Sequence, residues 1–342
     1  MKAIVKTMRA AGAELQTVQT PPPPHDGVLV KIKNVSICGT DFHVYNWDAW
    51  AAGRVPPPVV MGHEWAGEVV EVGPECQSLK VGDYVSGESH KVCGHCLQCR
   101  TGQGHVCQNT RIFGVDIDGA WCEYFAVPES SVIKNHARVP SEIACMQDPL
   151  GNAVHAALAG DIVGKSVAVL GCGPIGLFAV AVVRAVGGGP IWASDTAEYR
   201  LNLACKVGAD HVARVPDEDL DAMIADATHG QGVDVVLEMS GAPSAIVQAM
   251  RLARPGGRVS LMGIPAREVS LRVAEDIIFK GLTVQGIVGR RLYDTWYTMQ
   301  SLLSSGRLDV SPILTHRLPF ERFADGMELM RSGQCGKVVL SL

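Results

Sequence analysis

The sequence has no run of basic residues, no internal repeat and no low-complexity linker. With a formal net charge of −5 over 342 residues, it offers no electrostatic footprint for nucleic acid or an anionic membrane. Charged residues make up only 19% and hydrophobic ones 47%, which excludes the disordered class and leaves enough chain for two ordinary domains. The start, MKAIVKTMRAAGAEL, lacks the apolar stretch and small-residue cleavage site of a secretory signal, so a cytoplasmic protein is expected. Residues 167–183 carry no charged side chain and approach the length of a bilayer span. Gly171, Gly173, Pro174 and Gly176 within them read instead as strand, tight turn and buried helix, and no membrane span is expected. A disulfide framework is also disfavoured. The 11 cysteines are odd in number, with four clustered and seven scattered, which suits a reducing compartment and metal-ligating thiolates.

What is present divides the chain in two. Up to about residue 146, KAIVK, GVLVKIKNV, EWAGEVVEVG and YFAVP are β-rich runs punctuated by Pro, Gly and Asp, which predicts an all-β or α+β domain. From about residue 165, SVAVLG, PIWASD, VDVVLEMSG, GRVSLMG and LTVQGIVG are short apolar runs of the kind buried on both faces. Helix-length segments at 174–187, 197–207, 243–253 and about 273–280 lie between them. This alternation predicts a parallel, doubly wound sheet. After about Gly289 the alternation ends, and a tail closing on KVVLSL is expected to return to the first domain.

Gly171-Cys-Gly173-Pro-Ile-Gly176 follows the strand SVAVLG and opens an apolar helix. A chain with 37 glycines produces GxGxxG spacings by chance, so the context is what matters. Gly171 permits the tight turn, Gly173 lets backbone approach a pyrophosphate, and Gly176 packs helix on strand. Asp195 closes the next strand, 19 residues beyond Gly176, where a carboxylate accepts the ribose hydroxyls of NAD and repels the 2′-phosphate of NADP. Arg200 lies a turn into the following helix.

Cys93, Cys96, Cys99 and Cys107 have the spacing C-x2-C-x2-C-x7-C. Soft thiolates at two-residue gaps converge on one tetrahedral Zn²⁺ and leave no position open, the signature of a structural site; an iron–sulfur cluster and unrelated free thiols are the alternatives. Cys38 and the pair His63-Glu64 are a second candidate set for a metal with an open position. From the residues alone this set stays ambiguous, because a lone buried cysteine is usually a small hydrophobe.

CGTDFH, GHEWAGEVVEVG, the four-cysteine loop and GCGPIG occur in the order and spacing of the zinc-containing medium-chain alcohol dehydrogenases, and the chain resembles that family over essentially its whole length. The resemblance implies an α/β protein with a GroES-like β-rich catalytic domain at 1–146, completed by the tail 290–342, and a Rossmann NAD-binding domain at 147–289. It implies two zinc ions per subunit, one catalytic on Cys38, His63 and Glu64 and one structural on Cys93, Cys96, Cys99 and Cys107. Thr40 and His43 match the family's proton relay. Asp148 falls where the family places a carboxylate beside the zinc. Many relatives carry Glu there, so the shorter Asp points to a relay role, with helix capping before Pro149 as the alternative. Ile175, Asp195, Arg200, Met262, Gly263, Ile264, Gly286 and Ile287 would line the NAD site. A homotetramer acting on a small molecule is implied as well.

Within the family, SICGTDFHVYNWDAW, VSGESHKVCGHC, FGVDIDGAWCEYF, GNAVH, GRRLYDTW and LTHRLPF resemble the branch that oxidises L-threonine. The implied reaction takes its β-hydroxyl to the ketone of 2-amino-3-oxobutanoate, with hydride passing to NAD. Such a site must also hold an ammonium and a carboxylate. His90, Asn152 and Arg290 or Arg291 are polar candidates, with surface or packing roles as their alternative. The competing readings are a polyol, diol or simple-alcohol dehydrogenase of the same family and a non-catalytic binding protein on the same fold.

Overall fold

A computed structural model describes residues 1–342, and the chain separates into two compact units. The first comprises Met1–Pro149, Arg291–Trp296 and Leu314–Leu342. Its central strand is Gly27–Ser36, whose GVLVKIKNVS is rich in β-branched residues and buried along most of its length. This strand pairs antiparallel with Trp65–Val72, Tyr124–Pro128 and, from the end of the chain, Lys337–Ser341. Val132–Lys134, Tyr84–Gly87 and Leu314–Pro319 complete a seven-stranded sheet. Aromatic rings fill the core beneath it: Phe125 meets Trp65 edge-on at 5.5 Å and Phe113 at 5.3 Å. The short helix Gly39–Asn46 packs on the helix Phe323–Ser332, with Val44 and Asp41 buried.

The second unit comprises Leu150–Arg290 and Tyr297–Ile313. Six parallel strands, Val167–Leu170, Ile191–Asp195, His211–Arg214, Val233–Glu238, Ala253–Leu261 and Thr283–Gly286, lie in the spatial order third, second, first, fourth, fifth, sixth. This is the doubly wound order that puts a crevice at the carboxyl ends of the first and fourth strands. The first two strands are wholly buried, which explains their unbroken apolar runs. The helix Pro174–Ala185 buries eight consecutive residues, Gly176 to Val183, against them.

Four features depart from the sequence reading. His211–Arg214 is a strand although its HVAR carries two exposed polar residues, and Leu220–Ala227 is a helix capped by the Asp219 side chain on Ala222 N–H. The expected helix at 273–280 is a five-residue π-turn, Ala274–Ile278. Only Asp276 is buried in it, so no apolar face supports a longer helix. The tail expected to complete the first domain is divided: Tyr297–Ile313 belongs to the second unit, where the turn Ser311–Ile313 packs on the helices Pro174–Ala185 and Glu198–Lys206. No helix is long and apolar enough to cross a membrane.

Gly62, immediately before His63, has φ +85°, and a Cβ there would sit 1.8 Å from the Trp121 ring. Gly62→Ala is therefore expected to destabilise the protein by about 1–3 kcal/mol or more, seen as a lower denaturant midpoint at unchanged m-value.

Candidate metal and dinucleotide sites

Cys38 is the N-cap of the helix Gly39–Asn46, while His63 and Glu64 directly precede the strand Trp65–Val72. The backbone bond from Ser36 N–H to Glu64 carbonyl, 3.1 Å, ties the two segments together. The Cys38 sulfur, a His63 ring nitrogen and a Glu64 oxygen lie within 4.8 Å of one another. Buried charges hold each of them. Asp41 accepts the Cys38 N–H through Oδ2 at 2.9 Å, and its Oδ1 lies 3.3 Å from His63 Nδ1. That contact is in ion-pair range but not aligned as a hydrogen bond, and neither atom has a hydrogen-bond partner. With Nδ1 turned to the Asp41 carboxylate, Nε2 is the ring nitrogen left to face a metal.

Glu64 is wholly buried. Its Oε2 accepts from the Ser36 hydroxyl and from Lys337 Nζ, and Lys337, also buried, donates to the Ile37 carbonyl at 2.7 Å. Burial pushes the Glu64 pKa up, but the positive charges of Lys337 and His63 outweigh it and hold the carboxyl below its usual range. Glu64 Oε1 has no partner. Burial lowers the His63 pKa, yet Asp41 and the Cys38 sulfur outweigh this and raise it, so a cation bound here displaces a proton. One sulfur, one nitrogen and an orphaned carboxylate oxygen form a mixed three-donor set, which fits a zinc ion with an open fourth position.

The four-cysteine loop forms the other cluster, its four sulfurs within 4.8 Å of one another. Cys107 Sγ lies 3.6 Å from Cys93 Sγ and 3.8 Å from Cys96 Sγ. Zinc–sulfur bonds of about 2.3 Å at tetrahedral angles put sulfurs about 3.8 Å apart, and the cluster fits that ion. The backbone N–H groups of Cys93 and Asn109 donate to Cys107 Sγ at 3.4 and 3.3 Å. A bond from the Asn109 amide, helped by the His95 N–H, pulls the Cys93 thiol down to about 5, whereas burial and neighbouring thiols push Cys99 up to about 12. All 11 cysteines are free thiols.

In the second unit, Gly171 has φ +96° and faces Ser240 so closely that a Cβ would come within 2.7 Å. A Cβ on Gly176 would meet the Gly171 carbonyl at 1.8 Å, while one on Gly173 would meet nothing within 4 Å. Gly171 and Gly176 are thus glycines for packing, and Gly173 keeps space open for a ligand at the start of the Pro174–Ala185 helix. That helix has no side-chain cap, so its first N–H groups and dipole can receive a phosphate. Asp195 closes its strand with Oδ2 accepting Cys172 N–H at 2.8 Å and Oδ1 accepting Ala197 N–H at 2.9 Å; Arg200 is 4.0 Å away.

A cavity of about 720 Å³ brings Gly171, Gly173, Asp195 and Arg200 together with Ser240 and Met239. Ile175 is half-buried in the first turn of the helix. Met262, Gly263 and Ile264 follow the fifth strand, and Gly286 and Ile287 end and follow the sixth; these five are not among the cavity's lining residues. Met262 and Gly263 donate their N–H groups to the Glu238 carbonyl at 3.0 and 3.2 Å. Glu238 was not singled out in the sequence. It is wholly buried at the end of the fourth strand, where Oε1 gathers Ser240 and Gly241 N–H, and Oε2 has no partner. The only sequence signal for it is a carboxylate closing an apolar strand before a Ser-Gly turn.

Thr40 and His43 lie three residues apart on the Gly39–Asn46 helix, hence on one face. Asp148 is not among the three residues that converge; buried in the first turn of Gln147–Ala157, it accepts the Ser89 N–H at 3.2 Å. His90 sits in the first unit, where Glu88 Oε1 lies 3.0 Å from its Nδ1 and accepts its backbone N–H at 2.9 Å. Asn152 sits in the second unit and accepts from buried Arg290 at 2.9 Å. Asp41 and Ser36, which support the triad, lie inside the stretch around Cys38 but nothing in it marks them as supports, and Lys337 carries no motif.

The alcohol dehydrogenase GroES-like domain profile matches residues 24–140, and the zinc-binding dehydrogenase profile matches residues 174–305. The chain belongs to the zinc-binding alcohol dehydrogenase family. Among its curated relatives, L-threonine 3-dehydrogenase of Pyrococcus furiosus is 52% identical over 100% of this chain and 99% of its own. The enzyme of the same name from Caldanaerobacter subterraneus is 51% identical over 99% and 98%. An Escherichia coli alcohol dehydrogenase crystallised with NADH superposes with a TM-score of 0.91 at 29% identity, covering 100% of this chain and 99% of that one.

Cys38→Ser is expected to remove one of two bound zinc ions while the four-cysteine ion stays, by metal analysis of the purified protein. Retention of both ions would remove Cys38 from the ligand set.

Proposed function

We propose that this protein oxidises L-threonine at its β-hydroxyl to 2-amino-3-oxobutanoate and passes the hydride to NAD. The observation that carries this reading is full-length identity of about half to several L-threonine 3-dehydrogenases. The converged Cys38, His63 and Glu64 supply matching chemistry. A zinc held by these residues supplies a Lewis acid that acidifies a hydroxyl, much as bound water falls from about 16 to about 7. NAD supplies the hydride acceptor.

The chain does the rest. Asp41 and Lys337 fix two of the donor side chains, so the donor set is rigid before substrate arrives. Thr40 takes the proton leaving the substrate hydroxyl, and His43 carries it to water, its side chain being 57% exposed. Asp148, held by Ser89 N–H at 3.2 Å, is the further member of this proton path. His90 and Asn152 are proposed substrate contacts. Ile175, Arg200, Met262, Gly263, Ile264, Gly286 and Ile287 line the NAD site, and the glycine turn receives the pyrophosphate. Asp195 accepts the ribose hydroxyls and selects NAD over NADP. The second zinc, on Cys93, Cys96, Cys99 and Cys107, staples a glycine-rich lobe. A cytoplasmic homotetramer completes the reading.

Zinc-loaded protein with NAD is expected to form NADH, followed by absorbance, with L-threonine in strong preference to D-threonine, sorbitol, 2,3-butanediol and ethanol. Turnover of a polyol or diol alone would replace the substrate and leave the cofactors in place.

A further inference from the structure

The helix that carries Thr40 and His43 ends at Asn46, and Trp47 turns the chain back through a left-handed backbone, φ 56°. The next residue, Asp48, caps the short helix Ala49–Arg54 by accepting Ala51 N–H through Oδ1 at 3.0 Å. Its other oxygen, Oδ2, lies 2.5 Å from His43 Nδ1. The cap fixes the carboxylate, so it cannot swing away from the imidazole. Trp50 packs edge-on against His43 with ring centres 6.0 Å apart, and Arg54 lies over Trp50 at 5.6 Å. The Ala51 N–H, and after it His43, hold the Asp48 carboxyl below its usual range. It is therefore ionised at neutral pH and only accepts.

We propose that Asp48 is a positioning residue for the proton path, fixing His43 with its proton on Nδ1 so that Nε2 is the basic nitrogen. This rests on the reading of Thr40 and His43 as the path by which the substrate proton leaves. Nε2 takes that proton through Thr40, the imidazolium is stabilised by Asp48, and the proton passes from the ring to water or buffer. Asp48 itself stays ionised throughout. The exposed pair, 57% and 39% by side chain, is screened by solvent, so its effect is moderate.

The substitutions separate this role from the cap. Asparagine caps a helix as well as aspartate does, so Asp48→Asn removes the charge and keeps the helix, whereas Asp48→Ala removes both. In Asp48→Asn holoenzyme we expect kcat for L-threonine to fall about three- to tenfold at its plateau. KM values and melting temperature should hold steady. The acid limb of the kcat–pH profile should move toward lower pH, because the carboxylate that faces the ring, 2.5 Å from Nδ1, has lost its charge. The charged groups placed around the ring are Asp48 itself and, beyond Trp50, Arg54, which is paired with Asp116 at 2.8 Å; Arg54 and Asp116 are retained in both variants. Asp48→Ala should also lower the melting temperature. Superimposable kcat–pH profiles for wild type and Asp48→Asn would overturn the proposal, as would a loss of kcat that tracks melting temperature.

A parallel NMR titration of the His43 Cε1 proton, assigned by its absence in His43→Gln, needs no substrate. If wild type fails to oxidise L-threonine but the His43 pKa falls in Asp48→Asn, the substrate reading fails and the His43–Asp48 pairing stands. An unchanged His43 pKa sinks the pairing whatever the substrate.

Discussion

Glu64 and Lys337 face each other with no access to solvent, and much of the first unit follows from that contact. Lys337 begins the last strand of the chain, Lys337–Ser341, which pairs with the central strand Gly27–Ser36. Glu64 sits where the strand Trp65–Val72 begins on the other side of that central strand. Separating two such charges leaves each of them buried and uncompensated, at a cost of several kcal/mol. The pair therefore locks the end of the chain into the sheet while aiming a carboxylate at Cys38 and His63. Because the Glu64 carboxyl is held below its usual range, its contribution is present above the ordinary carboxylate pKa and is lost as pH falls through the lowered value.

The two units solve their binding problems with different physics. In the second, the backbone does the work: glycines shape the turn, an uncapped helix start offers N–H groups, and the Asp195 carboxylate at a strand end braces the turn through Cys172 N–H. In the first, buried charges dominate. Asp41 accepts the Cys38 backbone N–H and faces the His63 imidazole at once, and Lys337 with Ser36 holds Glu64. A metal ion belongs in such a setting because it balances the Glu64 oxygen that has no partner.

This difference decides what could be read from the sequence. The glycine turn, its following apolar helix and Asp195 were legible because all three lie within one strand–helix–strand unit. The four cysteines were legible because their spacing is local. The set Cys38, His63 and Glu64 became readable only through family resemblance, since 24 residues lie between Cys38 and His63 and only the fold joins them. Lys337 is 273 residues from Glu64, and nothing near it announces a partner. Asp41, Glu238 and Asp48 were missed for a related reason: an acidic residue near a helix start or strand end looks like ordinary capping until its second oxygen is located. The strand His211–Arg214 escaped because its exposed residues break the apolar pattern that identified its neighbours.

The central claim is that this chain holds two zinc ions in chemically different settings, one among four thiolates and one on Cys38, His63 and Glu64. X-ray absorption at the zinc edge of the fully loaded protein tests it most directly. The account predicts a mean of about two and a half sulfurs per zinc at about 2.3 Å, the remainder being nitrogen and oxygen at about 2.0–2.2 Å. A spectrum of four sulfurs per zinc and no light-atom shell would contradict it, because Cys38, His63 and Glu64 would then hold no zinc.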